Sequence, residues 1–285
     1  MRFVSFTIGD GASWGVLDNA NVADLGAALG DRAPTLRAAL ELDDFLRAVK
    51  AAMGDASRHP VSALSLAPAI PDPSKILCVG LNYEMHRKET GRSEVDHPTI
   101  FTRFANTQIG DGTPIVCPRV SKDLDFEGEL AVIIGRPGRY ISRQDAMAHV
   151  AGFSCYNDVS VRDWQRHTHQ FTPGKNFPAT GPFGPCMVTP DEVGPLSGLR
   201  IMTRLNGATV QEATLGDMIF DVPRIIEYCS SFTPLVAGDV IATGTPGGVG
   251  AKRVPPLWMK PGDTVEVEID RVGLLKNEII AETAS

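Results

Sequence analysis

Two glutamates stand two positions apart in DFEGELAVIIG, residues 125–135, a stretch that otherwise reads as a strand. Side chains alternate along a strand, so Glu127 and Glu129 share one face while Phe126, Leu130, Val132 and Ile134 share the other. At about 3.3 Å of rise per residue their Cα atoms lie roughly 6.6 Å apart, near enough for two long carboxylates to converge on one cation. Without a cation they repel each other. Taken alone, the pair reads more simply as the solvated face of an amphipathic strand. Further on, YNDVSVRDWQ follows the apolar VAGFSCY and puts Asp158 at a strand end, within reach of a site at a sheet edge. A cap for the turn beginning DVS is the equal alternative. Three acids plus water would make an oxygen-rich shell for Mg²⁺, Mn²⁺ or Ca²⁺, whereas zinc or copper usually draw on His or Cys.

Three other segments carry chemistry of their own. HRKE sets His86 and Glu89 three apart, neighbours on one face of a helix. A carboxylate beside an imidazole orients it and raises its basicity, as a general base needs; an exposed i,i+3 pair is the plainer reading. TPGKNFPATGPFGP surrounds Lys175 with Gly, Pro and aromatic residues, an odd setting for a lysine that only solvates, although most lysines end on the surface. ATGTPGGVG at 242–250 offers hydroxyls and backbone N–H groups as an anion cradle, without the Gly-Lys-Ser/Thr ending of a phosphate loop.

These residues need a scaffold, and 285 residues with 43% hydrophobic and 21% charged content suffice for a sizeable core. The 28 Gly and 21 Pro indicate many turns and strands, hence a β-rich fold. A net charge of -7 leaves no basic surface for nucleic acid or an anionic membrane. Cys78, Cys117, Cys155, Cys186 and Cys229 are odd in number and scattered, without a C-x-x-C pair, so reduced thiols are expected. The opening MRFVSFTIGDGASWGVLD lacks the features of a signal peptide and no run of about 18 apolar residues occurs, which indicates a cytoplasmic protein.

Along the chain, strand-like pieces at 3–8 and 13–17 precede helical spacing at 33–53, a small α+β cap domain over residues 1–70. Pro68, Pro71 and Pro73 form a stiff connector, and a second domain covers 74–285. It opens with the apolar strand 76–79; a polar stretch at 92–99 precedes the strand-like TIFTRF. ISRQDAMAHVAGF, with Ser142 and Asp145 as a capping box and Gly152 as terminator, is expected to form a short helix. DVPRIIEYCSSF is a second, with Asp221 as N-cap and Pro223 in the first turn. DTVEVEIDRVGLLKNEI alternates with period two, a hairpin turning near 270–273.

In order, GLNYEMHRKE, DFEGELAVIIG, YNDVSVRDWQ, GKNF, LNGATVQEATLGDMIF, LVAGDVIATGTPGGVG and PGDTVEVEI resemble the fumarylacetoacetate hydrolase family. The resemblance implies a mixed, β-rich α+β fold, a β-roll with a small N-terminal domain, usually homodimeric. It implies a divalent metal, Mg²⁺ or Mn²⁺ with Ca²⁺ as a substitute, held by Glu127, Glu129 and Asp158. It implies His86, Glu89 and Lys175 as catalytic residues, and Arg162, Gln165 and Thr245 as substrate contacts. Arg103 is a further candidate for a substrate's second carboxylate, a salt bridge to a nearby acid explaining it equally well. The implied reaction is hydrolysis of a carbon–carbon bond in an acylpyruvate, such as fumarylpyruvate or maleylpyruvate, in aromatic catabolism. Oxaloacetate decarboxylation, or keto–enol and double-bond isomerisation of hydroxymuconate-type diacids, is the alternative. A non-catalytic scaffold holding Ca²⁺ is the reading from another class.

Overall fold

The strand Gly128–Ile134 is buried along its whole length, which is why it reads as a near-continuous apolar run. In the computed structural model, which describes residues 1–91 and 93–283, this strand separates two cores. Leu130, Val132 and Ile134 pack with Ile201, Val267 and Ile269 of a second sheet and with Ile225, Ile226 and Cys229 of a helix. Ala131 and Ile133 pack instead with Phe3, Trp14, Leu25 and Leu36 from the N-terminal segment. A strand covered on both sides offers no solvated face for two glutamates, so Glu127 and Glu129 are buried with it.

Gly128–Ile134 pairs antiparallel with Val150–Asn157 on one side and Val240–Ala242 on the other. Val240–Ala242 runs parallel to Ile76–Gly80, which pairs with Thr99–Arg103. In the other direction Val150–Asn157 pairs with Gly181–Val188, and that strand with Arg2–Ile8. Gly11–Asp18 and Asn21–Asp24 continue the sheet, which among the described residues has 12 strands. The second sheet has 5, from Ala208–Thr214 through Arg200–Leu205, Thr264–Ile269 and Gly273–Ala281 to Ile115–Cys117. The fold is thus a mixed, sheet-rich α+β arrangement.

Most local signals are realised. Helices Leu36–Leu40 and Phe45–Ala52 fill the segment with helical spacing. Val222–Phe232 is helical, Asp221 accepting from the Arg224 N–H and Pro223 lying in the first turn. Thr264–Ile269 and Gly273–Ala281 form the C-terminal hairpin. The short helix expected after residue 141 does not form. Ser142 and Asp145 bond each other, only Ala146–His149 makes a 3₁₀ turn, and the chain then enters the strand Val150–Asn157. Pairing along both edges of that apolar strand outweighs a local capping signal. Gly152 is no helix terminator: a Cβ there would lie 2.6 Å from the Val188 carbonyl oxygen, so its bareness lets two strands approach. The five cysteines are free thiols and four are buried. Among the described residues no helix is long and apolar enough to cross a membrane. The polar stretch 92–99 begins at Arg92, which lies outside the described residues.

Candidate active site

The register of the sheet brings the three acids together. Gly128 is paired with Asn157, so the next residues outward, Glu127 and Asp158, meet where the two strands end. The Asp158 N–H donates to the Glu127 carbonyl at 2.9 Å, and the Asn157 side chain accepts from the Glu127 N–H at 3.0 Å. One carboxylate oxygen from each of Glu127, Glu129 and Asp158 lies within 4.8 Å of the others, all three residues being buried. Three hard oxygen donors in a water-poor recess suit Mg²⁺ or Mn²⁺ and offer nothing to a thiophilic metal, so the residues present fit the ion that the resemblance implies.

Lys175 is 1% exposed, so the surface-lysine reading fails. Its ammonium donates to Glu127 Oε2 at 2.7 Å and to Asp158 Oδ2 at 2.6 Å, and sits 5.1 Å from the Phe101 ring centroid. The short helix Thr172–Lys175 presents it, packed so closely on the preceding turn that a Cβ at Gly174 would lie 2.4 Å from the Gln165 backbone nitrogen. Arg162 donates from Nε to Asp125 Oδ2 at 2.8 Å and from Nη1 to Gln165 Oε1 at 2.9 Å, while Nη2 forms an ion pair with Glu127 Oε1 at 2.6 Å. Arg103 does not reach the cavity. It is fully buried and paired to Asp158 Oδ1 at 2.7 Å, with further bonds to the Val159 carbonyl and Thr180. The salt-bridge reading holds for it, and Asp158 spends its oxygens on Arg103 and Lys175 rather than on a turn cap.

The two glutamates titrate in opposite directions. Burial raises Glu127, yet Arg162 and then Lys175 outweigh it and hold the carboxyl at about 2. Burial, then the charges of Asp158 and Glu127, push Glu129 well above the usual carboxylate range. Among the described residues Glu129 has no ion-pair partner and accepts only the Gly244 N–H, at 2.8 Å. Lys175 is lowered by burial but raised more by Asp158 and Glu127, so it stays an ammonium.

His86 lies on the helix Glu84–Thr90, and its Nδ1 meets Glu89 Oε1 at 2.7 Å. His86 is 5% exposed, so this is no surface pair. The other oxygen of Glu89 accepts from the Gly248 N–H at 2.9 Å. The glycine-rich loop is therefore a cradle for the protein's own acids, Gly244 serving Glu129 and Gly248 serving Glu89. Gly244 has φ +99° and a Cβ there would strike Asn82, which explains the glycine. The Thr245 hydroxyl donates to the Gly128 carbonyl and accepts from Gln211.

His86, Glu127, Glu129, Arg162, Gln165, Lys175 and Thr245 all line one cavity of about 490 Å³; Asp158 and Glu89 stand behind that lining. Sequence reasoning missed Asp125 and Gln211. Buried Asp125 takes Arg162 and the N–H groups of Gly250 and Ala251, and Gln211 accepts from the Gly128 N–H. Asp125 opens the DFEGE stretch and was legible as a third acid there; Gln211 carried no local signal.

Residues 75–280 match the family described as fumarylacetoacetate (FAA) hydrolase C-terminal. The chain is 38% identical over 289 residues to a mitochondrial oxaloacetate tautomerase of Xenopus laevis, covering 98% of this chain and 90% of that protein. It is 42% identical over 226 residues to the oxaloacetate tautomerase YisK of Bacillus subtilis, covering 78% and 75%. Among solved structures, maleylpyruvate hydrolase from Sphingobium sp. SYK-6, in complex with manganese(II) and pyruvate, matches with a TM-score of 0.82 at 30% identity, over 99% of this chain and 100% of that one. A 2-hydroxyhepta-2,4-diene-1,7-dioate isomerase from Mycobacterium marinum matches with 0.78 at 30% identity, over 100% of both.

Proposed function

The chain belongs to the fumarylacetoacetate hydrolase family, a family of enzymes, and from that premise we propose that it is a divalent-metal-dependent keto–enol tautomerase of oxaloacetate. Relatives at 38% and 42% identity bear that activity in their names, which favours the isomerase side of the alternative over hydrolysis of an acylpyruvate. The observation that carries the reading is that His86, braced by Glu89, opens into the same cavity as Glu127 and Glu129.

Glu127, Glu129 and Asp158 would hold the ion, which when bound supplies Lewis-acid polarisation of the keto group and orients the 2-keto acid end of the substrate. With Nδ1 donating to Glu89, His86 keeps Nε2 as the base that takes a proton from C3. Glu89 steadies the imidazolium so formed, being itself fixed by the Gly248 N–H. Lys175 stays charged and offsets the negative charge that develops at the C2 oxygen. His86 returns its proton to that oxygen, so one C–H bond is exchanged for one O–H bond and no water is consumed. Phe101 and Phe171 form an apolar wall that limits water at C3.

The test follows the enol absorbance of oxaloacetate with Mn²⁺ or Mg²⁺, with EDTA controls, beside pyruvate release from oxaloacetate, acetylpyruvate, fumarylpyruvate and maleylpyruvate. Metal-dependent acceleration of enol–keto interconversion without faster pyruvate release is expected. Pyruvate release from an acylpyruvate at unchanged tautomerisation would overturn it for the hydrolase. That second reading is favoured by one feature, a cavity of about 490 Å³ that is roomy for a four-carbon diacid. Release from oxaloacetate alone would indicate a decarboxylase. Ca²⁺ that raises only the melting temperature would indicate a scaffold.

A further inference from the structure

The cations at the floor of the cavity are already engaged. Arg162 is taken by Asp125 and Glu127, and Lys175 by Glu127 and Asp158. A substrate carboxylate that does not sit at the metal end has other cations within reach in the cavity wall. Arg166, His169 and Lys252 line the same cavity, and among the described residues none of them has an acidic side chain as partner. Charged side chains left unpaired in a concave wall are available to a ligand in a way that saturated ones are not.

Lys252 is the best placed of these by its backbone. It closes the 3₁₀ turn Gly250–Lys252, and that turn is anchored from beneath: Asp125 accepts from the Gly250 N–H at 2.8 Å and from the Ala251 N–H at 3.0 Å. The anchor also holds Arg162, so the turn bearing Lys252 and the guanidinium beside Glu127 are set by one buried carboxylate. A Cβ at Gly250 would lie 1.9 Å from the Leu257 carbonyl oxygen, so the turn is seated where only glycine fits. Arg166 is the residue that ends the short helix Arg162–Gln165, in the same wall. Both cations thus project from elements whose inner ends are tied to the carboxylate cluster.

Resting on the tautomerase reading, we propose that Lys252, with Arg166, takes the distal carboxylate of a 2-keto diacid, so that the site selects dicarboxylic over monocarboxylic 2-keto acids. The pair, both exposed side chains of the cavity wall, discriminates by holding one end of the substrate while the other is held at the triad.

The test uses the full chain loaded with Mn²⁺ and two matched pairs of ligands. Oxaloacetate and 2-oxobutyrate are compared as substrates, by enol–keto conversion for the first and by deuterium exchange at C3, followed by NMR, for the second. Malate and lactate, which differ by the distal carboxylate and do not react, are compared by titration calorimetry. Lys252→Met is expected to lower kcat/KM for oxaloacetate about ten-fold or more, through KM, and to weaken malate by a similar factor. Exchange of 2-oxobutyrate and binding of lactate stay as in the wild type, and Lys252→Arg retains most of the diacid preference. Equal loss on both members of a pair, or no loss on either, overturns the proposal, as does a wild type that binds malate no tighter than lactate. If neither keto acid turns over while Lys252→Met still weakens malate selectively, the tautomerase reading fails and the carboxylate site stands.

Discussion

Asp44 and Glu127 are each held between two cations, yet the two pairings differ in consequence. Asp44 accepts from Arg32 at 2.9 Å and from Arg47 at 3.0 Å, with the Arg47 side chain 82% exposed. Its hydrogen bond from Arg47 lowers its pKa, but water would solvate all three groups nearly as well. Glu127 meets Arg162 and Lys175 with all three side chains buried, so its partners replace most of its hydration. Glu129, two residues further along the chain and inside the strand Gly128–Ile134, shares the burial but forms no ion pair among the described residues, and its carboxyl is pushed up instead of down. Burial sets the stakes for a carboxylate, and the partners decide the sign.

Lys175→Met leaves Glu127 and Asp158 facing each other without the ammonium. It should abolish turnover and lower the metal-free stability by about 3–5 kcal/mol in urea denaturation; a loss no greater than that of a surface mutant would show the cluster to be well hydrated. His86→Ala should cost about 10²–10⁴ in kcat, with a smaller loss of melting temperature than Lys175→Met, because the imidazole bonds Glu89 and not the carboxylates of the triad. Retention of full tautomerisation would remove His86 from its assigned task.

The titration of Glu129 sharpens the contrast without touching a cation. Its folded pKa lies above the ordinary 4.5, so its contribution to the stability of the metal-free protein is present below that pH and is lost as pH rises through the folded value. Glu129→Gln should therefore stabilise the EDTA-treated protein at pH 8, with the advantage closing as pH falls towards 4.5, in melting curves taken across that range. The same variant should forfeit much of the rise in melting temperature that Mn²⁺ gives. A pH-independent difference would place Glu129 in water. At the small end, Arg47→Ala should leave melting temperature and turnover unchanged within error, since Asp44 keeps Arg32 and the solvent.

The His86–Glu89 spacing and the helix Val222–Phe232 were legible because each rests on short-range spacing that survives folding: three residues along a helix, and a cap and a proline at a helix start. Ser142 and Asp145 show where such signals stop. Their capping box forms as a turn, and the helix they announce gives way to a strand that two neighbours complete from far along the chain. Arg103 shows the same limit for charge, since its type suited a substrate as well as a salt bridge until the fold put Asp158 2.7 Å away.

From residue types and spacing alone the chain determined that it would be β-rich and that an imidazole has a carboxylate on its own helix face, while the grouping of Glu127, Glu129 and Asp158 rested on the family resemblance. Only the tertiary structure decided which of these charges are buried and with whom. Pairing Gly128 with Asn157 joins Glu127 to Asp158, and that register depends on both cores closing over Gly128–Ile134, a cooperative result that no local stretch encodes. The same burial gives one glutamate two cations and its neighbour none, because electrostatic free energy in a dry interior depends on contacts between residues remote in sequence.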